Sequence, residues 1–187
     1  MNVFFRKFDS LRSTRKILLD FEIDKLTNSI ENATTGEVFE TEVIEMQVGG
    51  LKKLKKKDWQ FDWHKEFKKE GRMVYKLVTA YNQQIAQGLI SIEDNSDHIF
   101  MHLIESAQFN KGKSKMYRGV PGNLVAYACK VAFEKGYSGI VAFVAKSQLI
   151  GHYKVTLGAK VVSGNKMYLD TKEVLKIVKQ YFKNFEL

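Results

Sequence analysis

Residues 102–128, HLIESAQFNKGKSKMYRGVPGNLVAYA, contain the pattern that decides the fold. They start as a strand-like run, continue through a basic loop with glycines, and end with the apolar spacing of a helix. A helix N-terminus presents unpaired backbone N–H groups and a partial positive charge, which suit a phosphate. Glycine lets the backbone approach such an anion, and formal charge comes from Lys113, Lys115 and Arg118. The stretch therefore predicts an anion site; the alternative is a solvated surface loop that caps a helix.

On the N-terminal side of this loop, three strand-like runs separated by short polar turns predict an antiparallel meander. The runs are MVYKLVTAY (73–81), QIAQGLISIE (84–93) and HIFMHLIESA (98–107). After the loop, residues 123–136 have the pattern of a helix that stops at Gly136. The continuous apolar run at 137–145 is typical of a strand covered on both faces. The helix would connect the third meander strand to a strand parallel to it.

The C-terminal part of the chain continues the alternation of helices and strands. Residues 147–159 predict a short helix, and residues 160–170 predict a strand pair that turns at Gly164-Asn165. Residues 171–185 predict a closing amphipathic helix, whose apolar stripe consists of Val174, Val178, Tyr181 and Phe185. The order of elements predicts an α+β fold, an α/β/α sandwich with a mostly antiparallel central sheet and helices on both faces.

The N-terminal part carries two further patterns. Residues 16–24 and 37–46 are rich in β-branched and aromatic residues and flank a turn-rich stretch, so they predict a hairpin. In residues 49–71, aromatic residues recur every four positions, which predicts a helix with lysines on one face and, on the other, Trp59, Trp63 and Phe67.

The length and charge of the chain limit what it can be. Its 187 residues predict one domain, 1–187, with an N-terminal hairpin region at 1–50 and a core at 72–170. The net charge of +9, from 30 Lys+Arg against 21 Asp+Glu, attracts a nucleotide-bearing cofactor, a nucleic acid or an anionic membrane. There is no long apolar run and no signal-peptide pattern, and Cys129 is the single cysteine. We therefore expect a cytoplasmic protein that binds no membrane.

The meander, the basic loop and the following helix resemble the GNAT (GCN5-related) N-acetyltransferase superfamily. In that family the fourth strand leads into a loop of the form Gln/Arg-x-x-Gly-x-Gly/Ala, whose backbone holds the pyrophosphate of coenzyme A. The matching residues here are 116–121, with Gly119 at the central glycine and Leu124-Val125 as the aliphatic pair of the helix. Met116 departs from the usual Gln or Arg. Pro121 departs from the usual small residue and lacks an N–H, although proline suits the first turn of a helix.

The resemblance implies acetyl-CoA as the cofactor and residues 72–170 as the cofactor-binding core. Two strands, 98–106 and 140–145, would splay apart to admit it, with backbone N–H groups of the first facing the thioester oxygen. The residues that the resemblance places at the cofactor are Leu103, Ile104, Lys113, Lys115, Tyr117, Arg118, Gly119, Val120, Pro121, Gly122 and Asn123.

A second match lies in residues 140–160, IVAFVAKSQLIGHYKVTLGAK, where the family has a tyrosine ahead of a Leu-Gly pair. The resemblance implies that Tyr153 protonates the departing thiolate of coenzyme A; the alternative is an ordinary half-buried aromatic residue. The implied activity is direct transfer of an acetyl group to a primary amine. The first candidate for the general base is Glu105 and the second is His102. Strict alternation along a strand would put these two side chains on opposite faces, so that only one could face the substrate.

Other patterns allow different functions. His98 and His102 would be about 13 Å apart on a strand, so we expect no metal site there, and we expect Cys129 to be a buried structural thiol. The run LKKLKKK (51–57) lies beside aromatic residues, a combination that can hold phosphate and stack bases. Nucleic-acid contact through Lys52–Lys57 is therefore the alternative, in a non-catalytic module of the same fold. The amine, which could be a small molecule or a macromolecule, and a homodimer stay open.

Overall fold

The computed structural model of the protein describes residues 18–26, 29–182 and 185. Its strands are β1 (Ile30–Asn32), β2 (Val38–Phe39), β3 (Thr41–Glu45), β4 (Arg72–Thr79), β5 (Gly88–Asp94), β6 (Ile99–Ser106), β7 (Tyr117–Arg118), β8 (Val141–Val144), β9 (Lys160–Ser163) and β10 (Lys166–Leu169). Its α-helices are α1 (Val48–Lys53), α2 (Trp63–Phe67), α3 (Val120–Glu134), α4 (Ile150–Leu157) and α5 (Thr171–Tyr181). Short 3₁₀ turns lie at Lys56–Asp58, Gln108–Asn110 and Ser147–Leu149.

The main sheet has seven strands in the order β3-β4-β5-β6-β8-β10-β9. All neighbouring strands are antiparallel except β6 and β8, which are parallel and are connected through α3. The predicted α+β fold, the meander and the parallel crossover are therefore confirmed. The second meander strand starts at Gly88 rather than at Gln84.

Both faces of the sheet are covered. On one face, α3 packs against α5 and against β5 and β6, and the largest apolar core lies between them. On the other face, a smaller core joins β4, β5 and β6 to the α1 and α2 region through Leu51, Trp63, Val74, Leu89 and Leu103. Among the described residues, none of the helices is both long and apolar enough to cross a bilayer.

The predicted hairpin between 16–24 and 37–46 is wrong. Instead β1 pairs with β2, and β7 adds a third strand to this small sheet, while β3 joins the edge of the main sheet. The reason is a tight local turn: the Asn32 side chain accepts hydrogen bonds from the backbone of Thr34 and Thr35, and Gly36 adopts φ +73°. The described part of 16–24 instead contacts β8, whereas residues 16 and 17 lie outside the described residues.

The predicted single helix over 49–71 is also wrong, because the segment forms α1, a 3₁₀ turn and α2 with extended residues between them. A new helix starts where the Asp62 side chain accepts a hydrogen bond from the Lys65 N–H. Trp59 and Trp63 still meet, with ring centroids 6.3 Å apart, and Trp63 is buried. The packing was therefore predicted, but not the backbone that produces it.

Candidate functional site

The parallel strands β6 and β8 separate along their length and leave a groove. Within the described residues, their pairing runs from Ile99–Val141 to Met101–Phe143 and ends there, although β6 continues to Ser106. Next along the chain, the loop after β6 leads to the N-terminus of α3. The groove is thus bordered by two strands and closed at one end by the start of a helix.

A β-bulge lies on β6 just beyond the last paired residue. Ser91 pairs with Leu103 and Ile92 with Met101, so His102 is the extra residue. Strict alternation is broken there: the His102 ring contacts Phe100, with centroids 4.3 Å apart, on the α2 face of the sheet. Leu103 and Glu105 also lie on that face. The prediction that His102 and Glu105 lie on opposite faces is therefore wrong, since a bulge depends on the partner strand and leaves no trace in the sequence of one strand.

The glycine at the start of α3 has the conformation that an anion loop needs. Gly119 is the N-cap residue, with φ +89°, a left-handed backbone that side chains disfavour. Pro121 lies in the first turn of the helix and is buried, so its missing N–H costs the helix no internal hydrogen bond. The left-handed Gly119 thus lies at the start of α3, and binding of an anion there stays a prediction.

The groove contains a segment of the chain itself, residues 18–24. The Leu19 N–H donates to the Val144 carbonyl at 2.7 Å, and the Leu19 carbonyl accepts from the Lys146 N–H at 3.0 Å. The Ala145 N–H, just after β8, donates to the Asn165 carbonyl on the opposite edge. Because successive residues of a strand point to opposite edges, Leu19 lies on the edge of β8 that faces β6.

The acidic side chain of Asp24 lies at the glycine loop. Its Oδ1 accepts from the Gly119 N–H at 2.9 Å, and its Oδ2 is 2.7 Å from the Lys115 Nζ. A carboxylate is therefore bound by a backbone N–H at the N-terminus of α3 and by an ammonium group, which are the partners expected for a phosphate. These two contacts are the reason to interpret this end of the groove as an anion-binding site.

Tyr153 is fully buried on α4 and contacts the same segment. Its hydroxyl donates to the Phe21 carbonyl at 2.8 Å and accepts from the Phe21 N–H at 3.3 Å. The neighbouring His152 Nε2 accepts from the Ile23 N–H at 2.8 Å. Burial raises the pKa of Tyr153, so the phenol keeps its proton at neutral pH.

Glu105 is a buried carboxylate with four donors. Oε1 is 2.6 Å from the Gln60 N–H nitrogen and 2.6 Å from the Lys111 Nζ, while Oε2 accepts from Phe61 at 3.2 Å and from the Trp63 indole at 2.8 Å. These contacts hold the segment before α2 against the end of β6. A proton could reach this carboxylate only if one of the donors moved away.

His102 belongs to a chain of polar side chains on the α2 face. Its Nε2 lies 2.7 Å from Glu93, which also binds Arg72, and Arg72 approaches the buried Glu66 at 3.3 Å. Burial, together with the charges of Arg72 and Lys69, lowers the pKa of His102 to about 2. The neutral ring can still donate to Glu93, but it is a weak base.

The other residues predicted to bind the cofactor differ in their exposure and in the elements that they contact. Lys113 and Arg118 are exposed, and Tyr117 packs its ring on Phe39, with centroids 5.4 Å apart. The side chain of Asn123 ties α3 to its surroundings through Gly119, Ser29 and Thr41. The side chains of Leu103 and Ile104 belong to different cores, while Val120 and Gly122 are buried in the first turn of α3.

Three residues at the site were missed by the sequence analysis: Asp24, Lys111 and His152. The alternation of apolar and acidic residues in LDFEID (19–24) is visible in the sequence and marks a strand with one buried side. The sequence does not show which strand this stretch contacts, because the backbone edges of different strands are chemically alike.

The remaining predicted features occupy other places. Cys129 is buried within α3, and burial raises the pKa of its thiol. His98 contacts Asp97 at 2.6 Å and Asn95 at 3.2 Å, apart from the Glu93 contact of His102. The five lysines of 52–57 are all exposed, and nucleic-acid contact through them stays a prediction, as does a homodimer.

A cavity of about 800 Å³ lies on the α1 and α2 face of the sheet, beside the end of β6. Ala107 and Gln108, which directly follow β6, form part of its wall, and Trp59 forms another part. Trp59 packs on Trp63, which bonds Glu105, but Glu105 itself borders a second cavity, of about 210 Å³, together with Ile104 and Lys111.

No family model and no curated protein matches the chain. Among solved structures, it is similar to one assigned as a streptothricin acetyltransferase of Bacillus anthracis in complex with acetyl coenzyme A, at 11% identity and a TM-score of 0.47, over 70% of this chain and 98% of the other. It is similar to AtaTR bound with AcCoA at 12% identity and a TM-score of 0.49, over 73% of this chain and 97% of the other.

A third similar structure is the ribosomal-protein-S18-alanine N-acetyltransferase of Escherichia coli, at 12% identity and a TM-score of 0.41, over 68% of this chain and 89% of the other. At such identities and TM-scores, the similarities assign no activity, substrate or cofactor to this chain.

Proposed function

We propose that the protein is an acetyl-CoA-dependent N-acetyltransferase that moves an acetyl group directly to a primary amine. The observation that carries the proposal is the groove between β6 and β8, which ends at the glycine-led N-terminus of α3 with a carboxylate bound at Gly119 and Lys115. A groove of two splayed parallel strands suits an extended ligand, and its end suits a phosphate.

The residues present fit coenzyme A at this end of the groove. The Gly119 N–H and the Lys115 ammonium, which bind the Asp24 carboxylate, would bind a pyrophosphate oxygen in the same way. Arg118 and Lys113 are exposed nearby on the same loop and add positive charge. Pro121 contributes no N–H, so Val120 and Gly122 of the same turn would supply the backbone donors.

When bound, acetyl-CoA supplies an acetyl thioester that a neutral amine can attack. Tyr153 would hold a proton at its hydroxyl for the leaving sulfur. The bulge at His102 bends β6 next to the point where β6 and β8 part. Backbone N–H groups near Leu103 and Ile104 would stabilise negative charge on the carbonyl oxygen.

The amine would bind in the 800 Å³ cavity beside the end of β6, a volume in the range of about 300–1,000 Å³ that is usual for small-ligand sites. Glu105, which borders the smaller cavity of about 210 Å³, stays the first candidate for the base, and its role as a base requires that Lys111 move away from Oε1. His102 is less suited to this role because its pKa of about 2 leaves it little affinity for a proton.

The proposal is tested by isothermal titration calorimetry with acetyl-CoA, coenzyme A and adenosine bisphosphate. We expect micromolar binding, which Gly119→Glu abolishes because a side chain at φ +89° is strained and a carboxylate would repel the phosphates. The matched control is Gly136→Glu, which introduces the same residue at φ +77° just after the C-terminal end of α3, at the opposite end of the helix from Gly119, and should leave the affinity unchanged. Equal binding by Gly119→Glu and the wild-type protein would show that α3 does not hold the cofactor.

The rival function is a non-catalytic module that binds nucleic acid through the exposed Lys52–Lys57. It predicts an affinity for nucleic acid that falls steeply with added salt and no heat with acetyl-CoA. Substitution of all five lysines by glutamate would abolish such binding, whereas acetyl-CoA binding in the β6–β8 groove would persist.

A further inference from the structure

We propose that residues 18–26 are an internal occupant of the proposed cofactor groove, so that coenzyme A binds only when this segment leaves. The inference rests on the proposed function, because it concerns access to the same groove.

The segment is held in the groove by one parallel β-bridge, between Leu19 and Ala145, so it runs in the direction of β8 toward the N-terminus of α3. Its residues alternate: Leu19, Phe21 and Ile23 are buried in the main core, whereas the side chains of Asp20 and Asp24 are partly exposed and Glu22 is exposed. The sequence LDFEID thus has one apolar face, which packs into the core, and one acidic face.

The acidic face meets the positive groups of the groove. Asp24 bonds the Gly119 N–H and Lys115, and Asp20 bonds Lys146 just after β8. These are charge-assisted contacts to groups that would otherwise face an anionic ligand. Asp24 therefore stands in for a phosphate at the N-terminus of α3.

The segment also covers the residue proposed as the acid. The backbone of Phe21 uses both the donor and an acceptor site of the Tyr153 hydroxyl, and the Ile23 N–H binds His152. A leaving sulfur can reach the Tyr153 hydroxyl only after Phe21 has moved. The arrangement shields the proposed catalytic residue and the anion site at the same time.

The space that remains is too small for both occupants. With the segment in place, the cavity bordered by Phe21, Asp24, Ile104, Lys115 and Pro121 has a volume of about 210 Å³. Binding sites for ligands smaller than coenzyme A usually measure about 300–1,000 Å³. The backbone of the segment also lies close to the backbone of α3, because a Cβ atom added at Gly122 would lie 2.7 Å from the Lys25 carbonyl oxygen.

Displacement has a measurable thermodynamic consequence. If only a fraction of molecules has an open groove, the apparent dissociation constant for coenzyme A equals the intrinsic one divided by that fraction. A substitution that loosens the segment without touching the groove walls should therefore tighten apparent binding.

The first test is hydrogen exchange of the full chain, with and without coenzyme A. The Phe21 and Ile23 amides donate to Tyr153 and His152, so they should exchange faster when coenzyme A is added. The Gly119 amide should stay protected, since a phosphate replaces the Asp24 carboxylate as its acceptor. Amides of the central strand β5, such as Ile90, serve as internal controls and should not change.

The second test compares two variants that each remove one negative charge from the segment. Asp24→Asn weakens the contacts to Gly119 and Lys115, and we expect coenzyme A to bind about tenfold more tightly. Glu22→Gln changes an exposed residue of the same segment and should leave the affinity within about twofold of the wild-type value.

The outcomes separate this inference from the proposed function. Binding of coenzyme A while the Phe21 and Ile23 amides keep their protection would overturn the inference and leave the cofactor site intact. Binding by Asp24→Asn but not by the wild-type protein would support the inference strongly. If coenzyme A bound neither protein, the cofactor site itself would be refuted, and competition for it would be refuted too.

Discussion

At the scale of single residues, Tyr153 is the position where a small change should separate chemistry from binding. Tyr153→Phe keeps the ring contacts with Phe21 and Phe143 and removes only the hydroxyl. We expect kcat to fall about 100-fold, the lower end of what a general acid contributes. The affinity for acetyl-CoA should not fall. The Tyr153 hydroxyl also donates to the Phe21 carbonyl, so its removal loosens the segment that occupies the groove.

The matched control for that experiment is Tyr137→Phe. It removes a hydroxyl that donates to Asp94 at 2.7 Å, at the end of β5. Steady-state rates for both variants, measured with saturating acetyl-CoA, give the comparison. A Tyr153→Phe rate equal to the control rate would remove Tyr153 from the mechanism.

Gly119 and Tyr153 could be named from the sequence because a glycine loop and a tyrosine before Leu-Gly are local patterns, and their roles at a cofactor stay predictions. The role of Glu105 also stays a prediction; its four donors come from residues 60–63 and from Lys111, and no local pattern connects these to β6. Asp24 was missed for the same reason, since its partners Gly119 and Lys115 lie about 90 residues away in the sequence. Contacts between distant segments decide these roles.

At the scale of secondary-structure elements, Glu105 is expected to hold the segment before α2. Glu105→Gln replaces a carboxylate that accepts from four donors with an amide whose NH₂ group faces donors. Because the site is buried, the free energy of unfolding should fall by about 3 kcal/mol. Urea denaturation measures this, with the exposed Glu42→Gln as the control.

The kinetics of the same variant separate two roles for Glu105. A general base predicts a large fall in kcat with the KM for the amine unchanged. A residue that only positions the wall of the 800 Å³ cavity predicts a higher KM for the amine with kcat retained. An unchanged KM and kcat would exclude both roles.

The elements themselves were predictable in the second half of the chain and less so in the first. In the meander strands, α3, β8 and α5, apolar residues recur with a clear period over long stretches. The boundaries predicted from the sequence are therefore close to those of the structure. The segment 49–71 also has a helical period, but the backbone N–H groups of Gln60 and Phe61 bind Glu105 instead of continuing a helix. A tertiary contact therefore overrides the local preference.

At the scale of the whole molecule, the polar chain around His102 should shape stability against acid. The pKa of His102 is about 2 in the folded protein, against 6.5 for the free side chain, so the unfolded state binds the additional proton between these values. His102 therefore does not reduce the free energy of unfolding above pH 6.5, and it reduces this free energy increasingly as the pH falls below 6.5.

The expected effect is up to about 2 kcal/mol between pH 6.5 and pH 5. His102→Gln should flatten the fall in stability over this interval, as followed by urea denaturation at each pH. His64→Gln on α2 is the control and should retain the wild-type slope. An identical slope in all three proteins would show that His102 does not govern acid stability.

The short contact between β6 and β8 has one more consequence, for the behaviour of the chain before any ligand arrives. Beyond Met101 and Phe143, two strand edges face each other across the groove, and unpaired edges are templates on which strands of other molecules assemble. Leu19 and the residues after it cover the β8 side of this opening. Loss of the segment would therefore leave this part of the sheet open to pairing with strands of other molecules.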